Sequence, residues 1–262
     1  MSLSRIALWG FCGLLLVFLI APILVVIVTS FDASPYMAFP PTRLSLRWYA
    51  NFFSSAHWIE PALLSLRVGL ATMASATVLG TLAAIGIARG RFPGRQALEL
   101  FLISPMVVPI VVMALGFYFL FTGYHLIGTT PAIWLGHVVI ATPIVVVLVR
   151  AGLRSVDPTF DLAARSLGAN YWRTLWHVTL PSIRPAILSA AAFAFLISFD
   201  EVVIATFLGG PDATTLPKRM WETIRFEIDP TLTAISALLT VAATVVLVTI
   251  EISRGPAAPG RE

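Results

Sequence analysis

The chain is short of charge. Only 11% of its 262 residues are Asp, Glu, Lys or Arg, against about a quarter in an ordinary soluble domain. That excludes a solvated surface of the usual extent. Cysteine is almost missing. Cys12 stands alone in an apolar run and cannot form an internal disulfide. Lysine is equally scarce: Lys218 is the single one, and no G-x-x-x-x-G-K-[ST] stretch occurs. The chain therefore carries no Walker-type nucleotide loop of its own. No metal-ligand spacing and no nucleophile–base pattern appears. His57, His125, His137 and His177 are scattered and read as surface or packing residues. No internal repeat is visible.

Apolar length is what the chain does have. It is 58% hydrophobic, with a mean hydropathy of +0.91, and so belongs to the membrane class. A bilayer core takes about 20 apolar residues per helical span. Six runs qualify, at residues 6–30, 62–88, 97–121, 131–149, 185–208 and 232–250. The first begins like a signal peptide, with Arg5 before the apolar stretch. It is too long and lacks a clear small-residue cleavage site, so it is expected to stay as a span. The expected fold class is all-α and polytopic. Residues 1–252 form one membrane domain, followed by a disordered tail over 253–262.

The pI near 9.7 does not signal nucleic acid, because the basic residues sit in short loops between apolar runs. With a cytoplasmic N-terminus, the inner side holds eleven of them, among them Arg89, Arg91, Arg95, Arg150, Arg154 and Arg165; the outer side holds five. The bias places both termini inside. The outer segment at 209–230 contains a candidate helix with Leu216, Met220, Trp221, Ile224 and Phe226 partly on one side. It suits a membrane interface, and its acids Asp212, Glu222, Glu227 and Asp229 are candidates for guiding a docking protein.

The inner connection at 150–181 is too long for a simple turn. In "DPTFDLAARSLG", Asp157 is placed to cap a helix, Pro158 to open it and Gly168 to end it. Asp161 and Arg165 can pair at i, i+4. A second short helix follows in "NYWRTLWHVTLP", with Asn170 as its cap, Trp172, Leu175 and Trp176 as its apolar face, and Pro181 after it. Such an amphipathic pair can lie on the membrane, pack on its own bundle or dock another protein.

This connection resembles the inner loop of ABC importer permeases, whose motif is E-A-A-x3-G-x9-I-x-L-P. Ala163, Ala164, Gly168, Val178, Leu180 and Pro181 fall at the matching spacing, while Leu162 stands where the motif has glutamate and Val178 where it has isoleucine. Asp161 is one residue out of register. "LGTLAAIGIARGRFPGR", "ISPMVVPIVVMALG", "SFDEVV" and "LPKRMWETIRFEIDPTLTAISALL" extend the resemblance towards spermidine/putrescine importer permeases. The resemblance implies a six-span inner-membrane subunit of a bacterial cell. Its partners would be a second permease, a different chain, a dimer of ATPase subunits that bind ATP and Mg, and a periplasmic substrate-binding protein. This chain itself would hold no cofactor and no metal, contact lipid and bind no nucleic acid. The helix pair would be a coupling element for the ATPase, with Asp161 and the motif residues as its contacts. Related permeases for opines, phosphonates or ferric iron, and a secondary carrier working without an ATPase, remain as alternatives.

One stretch does not fit an oil-facing helix. "FLISFDEVVIATFL", residues 195–208, holds Asp200 and Glu201 side by side. A charge at the bilayer centre costs about 2.5–3.5 kcal/mol on insertion scales. Two readings follow. The acids line a path for an organic polycation, or Arg67, in the second apolar run, neutralises one of them as a buried pair.

Overall fold

A computed structural model describes residues 3–36, 39–157, 159–227 and 229–253. Pro158 and the expected tail beyond residue 253 lie outside them. Helices account for the architecture. Among the described residues the only β-type pairings are two isolated antiparallel bridges, Asp32–Leu44 and Gly210–Ala213. The helices in order are α1 (Leu3–Thr29), α2 (Arg47–Ser54), α3 (Ala56–Arg89), α4 (Arg95–Ile103), α5 (Ile110–Thr122), α6 (Thr130–Ser155), α7 (Thr159–Ser166), α8 (Tyr171–Thr174), α9 (Leu180–Ser182), α10 (Arg184–Phe199), α11 (Val203–Leu208), α12 (Leu216–Phe226) and α13 (Thr231–Ser253).

Two compact units form. The first comprises Met1–Ile59 with Glu222–Glu262, the second Glu60–Trp221. In the first unit α13 packs on α1 and α2. Polar ties fix it: Asn51 Nδ2 donates to Thr231 Oγ1 at 2.8 Å and Trp58 Nε1 to Asp229 Oδ2 at 3.2 Å. Asp229 also accepts the Thr231 N–H at 2.8 Å and so caps α13. Asp229 thus has a structural task within this unit. Helix α1 leaves nearly every side chain from Leu8 to Leu24 exposed.

In the second unit α6 is the central pillar. Helices α10, α11 and α4 pack against it. Lipid tails are as apolar as leucine, so contact between spans gains from close fit rather than from escape from water. Small residues sit at the crossings. A β-carbon on Gly80 would come within 2.6 Å of Val145, one on Gly136 within 2.8 Å of Ile204, and one on Gly152 within 2.4 Å of Ala186. Ala76, Ala84, Ala141, Ala190 and Ala194 complete one buried cluster between α3, α6 and α10.

The six apolar runs do not all become straight helices. Ala7–Thr29, Ala56–Arg89 and Thr130–Ser155 are continuous helices long and apolar enough to cross a membrane. The third run breaks: Arg95–Met106 meets Ile110–Thr122 at 102°. Pro109, extended at φ −55°, ψ 131°, sits at the junction; it has no N–H to donate and biases Val108 away from helix. The fifth run also turns, with Tyr171–Ser182 meeting Arg184–Phe199 at 70°. Counting each bent pair as one span gives up to five, and Thr231–Val245 is a shorter apolar helix.

Candidate functional site

The expected helix pair after α6 is present. The Asp157 carboxylate accepts the Thr159 N–H at 2.8 Å. That backbone bond, aided by the Thr159 hydroxyl, holds the Asp157 carboxyl below its ordinary value. Gly168 has φ +86°, and around it the Gly168 N–H donates to Arg165 O at 2.9 Å and the Ala169 N–H to Ala164 O at 3.1 Å. These two bonds are a Schellman closure of α7. Asn170 Oδ1 accepts the Arg173 N–H at 2.8 Å and caps α8.

Pro181 does not follow the second helix. The chain runs helically from Tyr171 through Ser182, with a π turn over Leu175–Thr179 and Pro181 inside α9. A π turn lengthens the hydrogen-bonded loop by one residue. Leu175 turns into the core, while Trp172 and Trp176 stay exposed, so the three do not share one face. Ala164, Val178 and Leu180 are half-buried, and Ala163, Gly168 and Pro181 are exposed.

Asp161 is held by a partner the sequence did not suggest. It pairs with Arg89, the last residue of α3, and not with Arg165. Thr179 closes the arrangement: its hydroxyl donates to Asp161 Oδ1 at 3.1 Å and accepts from Arg89 Nη1 at 3.0 Å. One acid thus joins α3, α7 and the π turn. Leu162, at the motif's glutamate position, points away and is 62% exposed. The acid inward and the leucine outward follow from adjacent residues on a helix lying about 100° apart.

The structure puts the paired acids in different surroundings. Residues 195–208 are two helices. Helix α10 ends at Phe199 and α11 starts at Val203. Glu201 accepts the Val203 N–H at 2.8 Å through Oε1 and the Ala205 N–H at 3.1 Å through Oε2. A helix start inside a membrane leaves donors with no water to satisfy them, and this carboxylate satisfies two. Beside it stands His137 on α6, with Nε2 3.4 Å from Oε2 and no hydrogen bond between them. The other ring nitrogen, Nδ1, lies 2.8 Å from Ser198 Oγ. His137 is therefore no bystander. Arg67 is exposed and pairs with neither Asp200 nor Glu201. Asp200 lies at the C-terminal end of α10, exposed, with no side-chain hydrogen bond or ion pair among the described residues.

The signal for His137 was available. An ionisable residue in the middle of an apolar span is a functional candidate by default. Arg89 and Thr179 gave no local sign, being 72 and 18 residues from Asp161.

Comparison with known proteins bears on this arrangement. Residues 76–254 match the family described as binding-protein-dependent transport system inner membrane component. The chain is 35% identical over 230 residues to the putrescine transport system permease protein PotI of Escherichia coli K12, covering 85% of this chain and 81% of PotI. It is 28% identical over 249 residues to the spermidine/putrescine transport system permease protein PotC of the same strain, covering 94% and 93%. Among solved structures, a bacterial ABC transporter involved in import of the acidic polysaccharide alginate superposes with a TM-score of 0.74 at 13% identity, over 98% of this chain and 99% of that one. At that identity the likeness speaks for the fold.

Proposed function

The chain belongs to the binding-protein-dependent transport system inner membrane components, and from that premise we propose that it is a permease subunit of an ATP-driven importer of polyamines such as putrescine and spermidine. It is a multi-pass inner-membrane transport component rather than an enzyme. The observation that carries the cargo is the likeness to PotI and PotC, whose names state putrescine and spermidine. An exposed carboxylate, Asp200, at a break between two apolar helices supports it. An anionic group there replaces some of the hydration that a polycation loses on entering the membrane.

The working parts follow. A loaded periplasmic binding protein docks outside. A second, different permease chain completes the path, and lipid surrounds both. A pair of ATPase subunits binds ATP and Mg on the cytoplasmic side, where both termini of this chain lie. ATP closes the ATPase pair, and residues 163–181 carry that motion into the spans. Asp161 couples it to α3 through Arg89. The spans then switch from inward-open to outward-open, and hydrolysis resets them. Asp200 meets the cargo in passage.

The test is reconstitution of the assembled transporter in vesicles with labelled putrescine and spermidine. ATP-dependent uptake should fall at least tenfold in Asp200→Asn, with all subunits still co-purifying. Adding Arg67→Gln should not rescue it, since Arg67 and Asp200 are unpaired. Uptake by the isolated chain with no ATPase present would overturn the ATP-driven reading. Full uptake in Asp200→Asn would remove that residue from the path.

A further inference from the structure

The two neighbouring acids have separate tasks, and the geometry points to Glu201 as a positioning residue that sets the helix break so that Asp200 can meet the cargo. This rests on the cation-importer reading above.

Glu201 has little to offer a passing cation. It is 6% exposed. Both oxygens are engaged by backbone N–H groups of α11, and Oε2 also faces the His137 ring at 3.4 Å. A cation binding there would have to displace those donors and leave them unsatisfied in a low-dielectric interior. His137 is itself fully buried and Ser198 nearly so. Ser198 is hydrogen-bonded to His137, and the His137 ring packs against Glu201, so the three form a buried row. It joins the last turn of α10, the first half of α6 and the first turn of α11. Serine, histidine and an acid also make up hydrolytic triads, which need a nucleophile that substrate can reach. Ser198 is 4% exposed, so the trio here serves as a brace.

Asp200 sits between the two braced residues in sequence. Its own side chain is exposed and unbonded among the described residues. Ser198 and Glu201 pull towards α6, which leaves the intervening Asp200 directed elsewhere. The brace thus fixes where the free carboxylate stands.

The experiment uses the assembled transporter in vesicles, with putrescine and spermidine compared side by side. Asp200→Asn should cut spermidine uptake at least threefold more than putrescine uptake, because it removes charge from the path. Glu201→Gln should cut both and shift their ratio in the same direction as Asp200→Asn, because it acts through that carboxylate. Glu201→Asp should do the same, since it keeps the charge but loses the reach. His137→Gln combined with Glu201→Gln should be no worse than Glu201→Gln alone, and Glu201→Gln added to Asp200→Asn should cost little more than Asp200→Asn alone, because the brace acts through that carboxylate. Losses that multiply when Glu201→Gln is added to Asp200→Asn, or full uptake in Glu201→Asp, would overturn the assignment and make Glu201 a cargo contact in its own right. A cargo-independent arm uses a Cys12→Ser background and a water-soluble cationic thiol reagent. Asp200→Cys should be labelled at least tenfold faster than Glu201→Cys, and adding His137→Gln should change the Asp200→Cys rate at least threefold. Equal rates would refute the brace even if the cargo proved to be another solute. Failure of wild-type polyamine uptake alone, with the labelling pattern as expected, would refute only the cargo.

Discussion

Replacing Gly168 by alanine isolates the contribution of one backbone angle. The residue sits at φ +86°, and a β-carbon built there would have nothing within 4 Å. Crowding therefore contributes nothing. What remains is the cost of a left-handed conformation for an L-residue, about 1–2 kcal/mol. Relief would come by opening the closure made by the Gly168 and Ala169 N–H groups. A shift of that size lowers the closed population of the elbow roughly 5- to 30-fold relative to the open one. Asparagine visits the left-handed region more readily, so Gly168→Asn should lose less. Gly168→Trp adds bulk on an exposed face and should lose most. The assay is binding-protein-stimulated ATP hydrolysis by the reconstituted complex, with basal hydrolysis by the isolated ATPase subunits as control. Stimulated turnover should fall in the order Gly, Asn, Ala, Trp while the control stays constant. If alanine matches glycine and only tryptophan fails, the angle is not limiting. If asparagine is as damaging as alanine, the left-handed argument is wrong.

Three further outcomes can be checked. Arg89→Gln and Asp161→Asn should each destabilise the elbow by about 1–2 kcal/mol, at the lower end for charge-assisted bonds because both groups stay partly solvated; thermal melting of the double variant should match the worse single one, and additive losses would mean that the two do not act as a pair. Gly152→Val should lower the melting temperature of the purified complex through overpacking of about 1–3 kcal/mol against Ala186, while Gly116→Ala, with open space at its β-position, should leave it unchanged. The Asp157 cap should weaken in acid. Its carboxyl titrates below the ordinary 3.8 when folded, so its contribution is full above that value and fades as pH falls through the folded one; hydrogen exchange at the Thr159 amide should quicken there in the wild type but show no such step in Asp157→Asn.

The elbow was legible because its signals are local. Asp157, Asn170 and Gly168 each act within three residues of their own position, and capping chemistry depends on little else. The kink at Pro109 could have been read from "ISPMVVPI", where proline disfavours helix at the residue before it. The break at 200–202 could not. The two acids mark the place but not the break, and what permits two helix ends inside the apolar stretch is a carboxylate that caps α11 beside His137 of another span. The Asp161 pairing fails to show for a related reason. The i, i+4 rule offers Arg165 for free, whereas Arg89 becomes a neighbour only after α3 and α7 have packed. Local rules name the caps, and long-range burial chooses the ion pairs.

Helix α1 meets different demands from the pillar α6. With its side chains from Leu8 to Leu24 uncovered within the chain, no neighbour of its own dictates shape at any one position. Exchange among Leu, Ile, Val and Phe there should be broadly tolerated so long as greasy length is kept, whereas at Gly80, Gly136 and Gly152 a single added methyl should be rejected. A saturation library would then show a permissive first span and intolerant positions on the second and fourth.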